Sequence, residues 1–283
     1  MTSIVGSAVG TAEAAARAAG VLIRPVSDLA ELAALDRLLA GIWQADASGP
    51  LLTTELLRAL AKSGNYVAGA FDGDTPVGAA VAFFSAPAER ELHSHITGIA
   101  AGALGRGVGF ALKQHQRAWA LRRDIATISW TFDPLVGRNA HFNLAKLAAV
   151  PIEYLPNFYG VMRDRINGDD ESDRLLVHWE LAGSAVVAAC AGRPRRCEPP
   201  PTAVVALRRS ATGAPVAGSR QGDTLLVAVP DDIEALRRRD PGAAKEWRVA
   251  VRDALTTLLA DGARFAGFDR AAGYVLTRGE GAP

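Results

Sequence analysis

Three glycines at alternate positions, Gly105, Gly107 and Gly109, separate two strongly patterned segments. Before them, residues 92–100 read as a strand. After them, Val108, Leu112 and Trp119, aided by Ala111 and Ala118, follow helical spacing to about residue 122. A strand that passes into a helix through glycine directs the chain to the α/β class. It also sets up a chemical situation. Glycine lets the backbone turn tightly, and the first turn of a helix has N–H groups without intrahelical partners and a partial positive charge. Such a turn can hold phosphate oxygens. It can equally be a plain connection in which glycine serves close packing.

The flanking pattern supplies the rest of the fold. Residues 21–25 form a short strand closed by Pro25, and Asp28 with Glu31 has capping-box spacing. Leu29, Leu32, Leu35, Leu39, Ile42 and Trp43 then recur as on a helix, and Thr53 or Thr54 opens a second one. Two apolar runs, 66–71 and 77–84, are joined through Asp72-Gly73-Asp74, a hairpin signal. Strands are expected over 125–132, 154–162 and 175–181, with a helix over 139–148. The order predicts a mixed α/β fold, a central mixed sheet flanked by helices. Residues 1–20 read as a flexible tail and 21–182 as the main domain. An irregular Pro/Arg-rich linker is expected over 183–222, and an α/β extension of the first sheet over 223–283. That extension contains an amphipathic helix with Trp247, Val251, Leu255, Leu258 and Leu259 on one face.

Composition narrows the function. The 283 residues include 31 basic and 30 acidic side chains, a formal net charge of +1, which argues against a nucleic-acid partner. Two cysteines, Cys190 and Cys197, are too few for a disulfide framework. No apolar run approaches the ~20 residues of a spanning helix, and the first 20 residues lack a secretory pattern. The expectation is a reduced, cytoplasmic chain with no membrane partner. His93 and His95 have metal-ligand spacing but no third ligand nearby, so no metal is expected.

Among phosphate-binding loops, a dinucleotide fingerprint fails because Phe110 stands where a third small residue is required, and no Gly-Lys-Ser/Thr triplet closes a Walker loop. The segment Arg106-Gly107-Val108-Gly109, between strand and helix, resembles the pyrophosphate loop of the GNAT superfamily of acyl-coenzyme A N-acyltransferases. Leu104 departs from it, standing where that family has Gln or Arg. The element order over residues 21–181 is similar to that family's. The middle of the chain resembles a subgroup of longer predicted acetyltransferases in Ser94-His95, Phe132-Asp133-Pro134-Leu135, Asn139-Ala140-His141-Phe142-Asn143, Asn157-Phe158-Tyr159-Gly160 and Ser172-Asp173-Arg174.

The resemblance implies an acetyl-CoA or other acyl-CoA donor. It implies direct acyl transfer, in a ternary complex, to the amine of a small molecule or amino acid. The donor would lie against Ile99, Gly105, Arg106, Gly107, Val108, Gly109, Phe110, Asn139 and Asn143. Strand 92–100 would open beside it, and a period of two puts His93, His95, Thr97 and Ile99 on one face. His95 suits a general base because histidine titrates near neutrality. Glu91 and a solvent relay are alternatives, and His95 also reads as a hydrogen-bonded core residue. Leu144 stands at the family's usual Tyr acid, which leaves Tyr159 or Tyr154 for that role. Asp133 could hold a substrate ammonium, orient a base, or start an Asp-Pro turn. Arg138, Arg163 and Arg174 could hold a carboxylate. The extension would cover the acceptor cleft or support a homodimer. The alternatives are a non-catalytic coenzyme A-binding module and a structural protein using the fold alone.

Overall fold

The computed structural model describes residues 2–43, 52–160, 162 and 170–279. The chain divides into two compact units, Met1–Trp130 with Glu180–Gly183, and Thr131–Trp179 with Ser184–Pro283.

The first unit opens with α1 (Thr2–Ala19), β1 (Leu22–Pro25), α2 (Leu29–Trp43) and α3 (Thr54–Lys62). There follow β2 (Tyr66–Asp72), β3 (Thr75–Phe84), β4 (Glu91–Ile99), α4 (Val108–Leu121) and β5 (Thr127–Phe132), of which the last two residues belong to the second unit. β1 to β4 pair antiparallel in sequence order, and β5 lies parallel to β4. Leu32, Leu35 and Leu39 of α2 pack with Leu57, Val67, Phe71, Ala79 and Val81 into one apolar core. Thr53 caps α3 by accepting a hydrogen bond from Leu56 N–H.

Residues 1–20, expected as a tail, are instead mostly helix. α1 lies along α4 and buries Ala8, Ala12 and Ala19. Side chains of this size let two helix backbones approach closely, and α4 is buried over most of its length.

The second unit continues with α5 (Gly137–Ala140), which runs into a π-helical turn over His141–Lys146 where an ordinary helix was expected. β6 (Val150–Leu155) and β7 (Arg174–Glu180) pair antiparallel. Then come α6 (Ser184–Cys190), β8 (Val204–Arg209), β9 (Pro215–Ala217), β10 (Thr224–Val227), α7 (Ile233–Arg239), α8 (Pro241–Ala260), β11 (Arg264–Asp269) and β12 (Gly273–Thr277). The last five strands form a separate sheet in the order β11-β12-β10-β8-β9. α8 packs on it through Trp247, Val251, Leu255 and Leu258.

The mixed α/β class, with strands flanked by helices, is the one observed. The expected boundaries differ. The division falls at Thr131 rather than 182. Stretch 183–222 supplies a helix and two strands, and its longest run without regular structure is 191–203, where prolines withhold ladder donors. The C-terminal strands build their own sheet. The expected strand over 154–162 ends at Leu155, and residues 161 and 163–169 lie outside the described residues. Among the described residues no helix is long and apolar enough to cross a membrane, and no His/Cys/Asp/Glu cluster could hold a metal ion.

Candidate functional site

The glycine turn is open. Gly105 and Gly107 have φ of +80° and +87°, the left-handed region. A Cβ added at either would meet nothing within 4 Å, so backbone handedness, and not close packing, calls for glycine there. Gly107 caps α4 and no side chain caps that end. The first helical bond runs from Ala111 N–H to Gly107 C=O at 3.0 Å. The N–H groups of Val108, Gly109 and Phe110 therefore stand ahead of the helical ladder. Ile99 and Val108 anchor the turn by packing over Gly78 with Leu112. The Arg106 guanidinium reaches elsewhere, to Asp72 at 2.9 Å and the Ala19 carbonyl at 3.3 Å, so Arg106 can offer the turn only its main chain.

β4 forks from β5 beside this turn. Their parallel register covers Glu91 to His93 against Thr127 to Ser129 and stops there. On its other edge β4 has a bulge: Ala82 faces Ser94 and Val81 faces Ile96, so His95 is an extra residue. A bulge bends a strand and increases its twist. It also resets the alternation of faces. Ser94 meets Lys113 of α4, and Ile99 packs toward the same helix, while Ile96 joins the α2 core. The period-two grouping of Ile99 with His95 fails for that reason.

His93 and His95 lie against Phe83, with ring centroids 5.2 and 5.7 Å away. His93 Nδ1 is 3.3 Å from Ser129 Oγ, at the last paired position before the fork. His95 is exposed as a residue, with its ring lying against Phe83. Desolvation lowers the proton affinity of both imidazoles, with the neighbouring His95 adding to the effect at His93. Both are therefore neutral at pH 7 and able to accept a proton.

Sequence reasoning missed Lys113. Its Nζ donates to Ser94 Oγ at 2.9 Å and Gln116 Oε1 at 3.3 Å, and lies 3.8 Å from the Trp130 ring centre. Lys113, Ser94, Gln116 and Trp130 are all buried. One signal could have found it: four of the 31 basic residues are lysine, and Lys62, Lys146 and Lys245 are exposed.

In the second unit Asp133 is fully committed. Its Oδ1 accepts from Leu135 N–H and Arg248 Nη1, both at 2.9 Å, and its Oδ2 from Arg237 Nη2 at 2.6 Å and Arg248 Nη2 at 3.0 Å. These four bonds fill the lone-pair directions of a carboxylate. Burial alone would raise its pKa, but Arg248, Arg237 and Arg174 together hold it far below the usual carboxylate range. Asp133 is thus an internal ion-pair centre, and the readings as ammonium ligand or base-orienter are corrected.

Arg174 is buried and engaged by Asp133 at 3.9 Å and Met162 Sδ at 2.9 Å. Arg138 is exposed and pairs with Glu234. Neither is a ready carboxylate clamp, and Arg163 lies outside the described residues. The two polar motifs around 157–160 and 172–174 clasp each other. Asp173 accepts from Asn157 N–H at 2.9 Å, Tyr154 Oη at 2.6 Å and Arg252 Nε at 2.8 Å, and Ser172 Oγ accepts from Tyr159 N–H at 2.8 Å. Tyr154 is spent in that clasp, and burial raises its pKa. The Tyr159 hydroxyl is exposed, 3.2 Å from Thr131 Oγ1 at the end of β5. Asn139 is exposed and Asn143 buried in the π-helical turn, while Leu144, also buried, offers no hydroxyl there.

No family model matches the chain, and no curated protein matches it. Comparison of folds finds solved structures that overlap it in part. An N-acetyltransferase from Staphylococcus aureus is 17% identical, covering 57% of this chain and 98% of its own, with a TM-score of 0.47. Ard1 from Thermoplasma volcanium is 16% identical over 56% of this chain and 96% of its own, with a TM-score of 0.45. The yncA protein of Salmonella typhimurium, solved with its cofactor acetyl-CoA, is 14% identical over 59% of this chain and 98% of its own, with a TM-score of 0.46. At these identities and scores the likenesses assign neither family nor activity. A functional reading must come from the residues themselves.

Proposed function

We propose that the chain is an acyl-coenzyme A-dependent N-acyltransferase. In this reading it transfers an acetyl or other acyl group to the amine of a small molecule or amino acid. One observation carries it: an open, uncapped glycine turn at the start of α4 lies just past the end of a strand that has parted from its parallel neighbour. The turn fits a diphosphate, because its N–H groups converge at the positive end of a helix. The fork fits a thioester arm, because the edge of β4 from Ser94 onward is freed from pairing with β5 and can bond to the arm's amides.

Bound there, acyl-CoA supplies an activated carbonyl. The protein's part is to align it and manage protons. An amine is protonated at pH 7 and must lose a proton before it attacks. In this reading neutral His95, exposed on the bulge, accepts that proton directly or through water, and free main-chain N–H groups of β4 stabilise the charge that gathers on the thioester oxygen. Thiol release with acetyl-CoA over a panel of amines tests the proposal, and His95→Ala should lower kcat about 100-fold or more.

The second reading is a coenzyme A-binding module without turnover. Buried Leu144, where the family resemblance expects a tyrosine, favours it. Coenzyme A binding with no thiol release for any amine would establish that reading.

A further inference from the structure

α4 and β4 bring a hydroxyl and an amine together at the root of the fork. Ser94 is the first β4 residue beyond the segment paired with β5, and Trp130 is the first β5 residue beyond it. The Lys113 amine is held between them, bonded to Ser94 Oγ at 2.9 Å and lying 3.8 Å from the Trp130 ring centre. Gln116, one turn further along α4, accepts from the amine through Oε1 at 3.3 Å, and its own Nε2 is buried with no acceptor among the described residues. A nucleophile, a base within hydrogen-bond reach and a third group orienting the base are the parts of an activated hydroxyl.

We propose that Ser94 and Lys113 form a serine–lysine pair that takes an acyl group onto Ser94 Oγ from an activated ester or thioester. Lys113 Nζ accepts the hydroxyl proton as Oγ bonds to the acyl carbon. The bond from that carbon to the leaving sulfur or oxygen breaks, and the proton passes from Nζ to the leaving group. Water then cleaves the acyl-serine and releases the carboxylic acid. Where an amine is bound, direct transfer competes with this covalent route. For a thioester donor the pair rests on the acyl-coenzyme A reading, whereas for an ester it does not.

The chain's use of basic residues agrees with this. Arginine fills 27 of 31 basic positions, yet the buried position beside Ser94 is lysine, which can give up its proton where arginine cannot. Burial lowers the Lys113 pKa to about 7, so much of the amine carries a lone pair at neutral pH. Among the groups around it, His93 of β4 is titratable, and Gln116 and Trp130 are uncharged.

The test exposes the full chain to p-nitrophenyl acetate and, separately, to acetyl-CoA without an amine. The expected result is a burst of one equivalent of p-nitrophenolate. One acetyl group should appear on the tryptic peptide 91–106, at Ser94, and be removed by hydroxylamine. Ser94→Ala should abolish it and Ser94→Cys retain it. Lys113→Arg, which preserves the positive charge, should slow the burst about 100-fold or more, since a base and not a cation is required. Melting curves confirm that the variants are folded. Acetylation of Lys113 itself, or of Lys62, Lys146 and Lys245 alone, or a Lys113→Arg burst at the parent rate, overturns the proposal. Coenzyme A binding with no acyl-serine from either donor sinks the pair and leaves the acyltransferase reading intact. Acyl-serine from the ester with no coenzyme A binding does the reverse.

Discussion

Single residues of the site owe their identity to their neighbours. A methyl at Gly109 would sit 3.8 Å from Ile99, an ordinary contact, so Gly109→Ala should leave the fold as stable or slightly more so. The same methyl beside the open amides should weaken coenzyme A binding about tenfold, roughly 1.4 kcal/mol. Thermal melts and titration calorimetry on one sample separate the two effects. Lys113 gives a pH signature. Folding lowers its pKa to about 7, so between pH 7 and 9 the unfolded chain holds a proton that the folded chain has released. Stability must then rise with pH, by at most ~1.4 kcal/mol per unit. Urea midpoints at pH 7 and 9 should show the rise, and Lys113→Met should remove it. The glycine turn was legible in the sequence because backbone handedness is a local property. The fate of Asp133 was not, because its arginine partners lie 104 and 115 residues away.

Among the elements, β4 and α4 show why pattern reading stopped short. A bulge leaves no mark on hydrophobic alternation, so the shift at His95 moved Ile99 to the other face unseen. Lys113, Gln114, Gln116 and Arg117 are polar, yet all four are buried in a helix that α1 lies along. Within α1 the buried Ala8 and Ala12 are one turn apart and pass for ordinary helix formers. Ala8→Glu would put a carboxylate and extra volume into that contact. It should destabilise the first unit by about 2 kcal/mol or more, seen as a lower melting temperature. Ala16→Glu, on a less buried position of the same helix, should cost far less.

For the whole molecule, the two units rely on different chemistry. The first has a leucine- and valine-rich core, while the second also buries Asp133 and Asp170 with Arg237 and Arg248. Removing one partner of a buried pair exposes the desolvation cost of the other, so Arg248→Met should destabilise by roughly 3–5 kcal/mol in chemical denaturation. The Asp133 pKa lies below its unfolded value, so its contribution is present above about pH 4 and fades as the solution is acidified. Arg248→Met should accordingly show a shallower loss of stability between pH 5 and pH 3, by about 1 kcal/mol or more. The order of elements was readable across residues 21–181, while the helix over Thr2–Ala19 was not. The separate C-terminal sheet was not, since strand partnership depends on register between distant segments.

In the proposed function, main-chain N–H groups at the start of α4 hold a diphosphate. Amide chemical shifts of the 15N-labelled chain, followed during titration with coenzyme A and separately with pantetheine, test it most directly. Saturable shifts are expected at Gly107, Val108, Gly109 and Phe110 with coenzyme A, and little change there with pantetheine, which lacks the diphosphate. Unmoved amides at those four positions under saturating coenzyme A would contradict it.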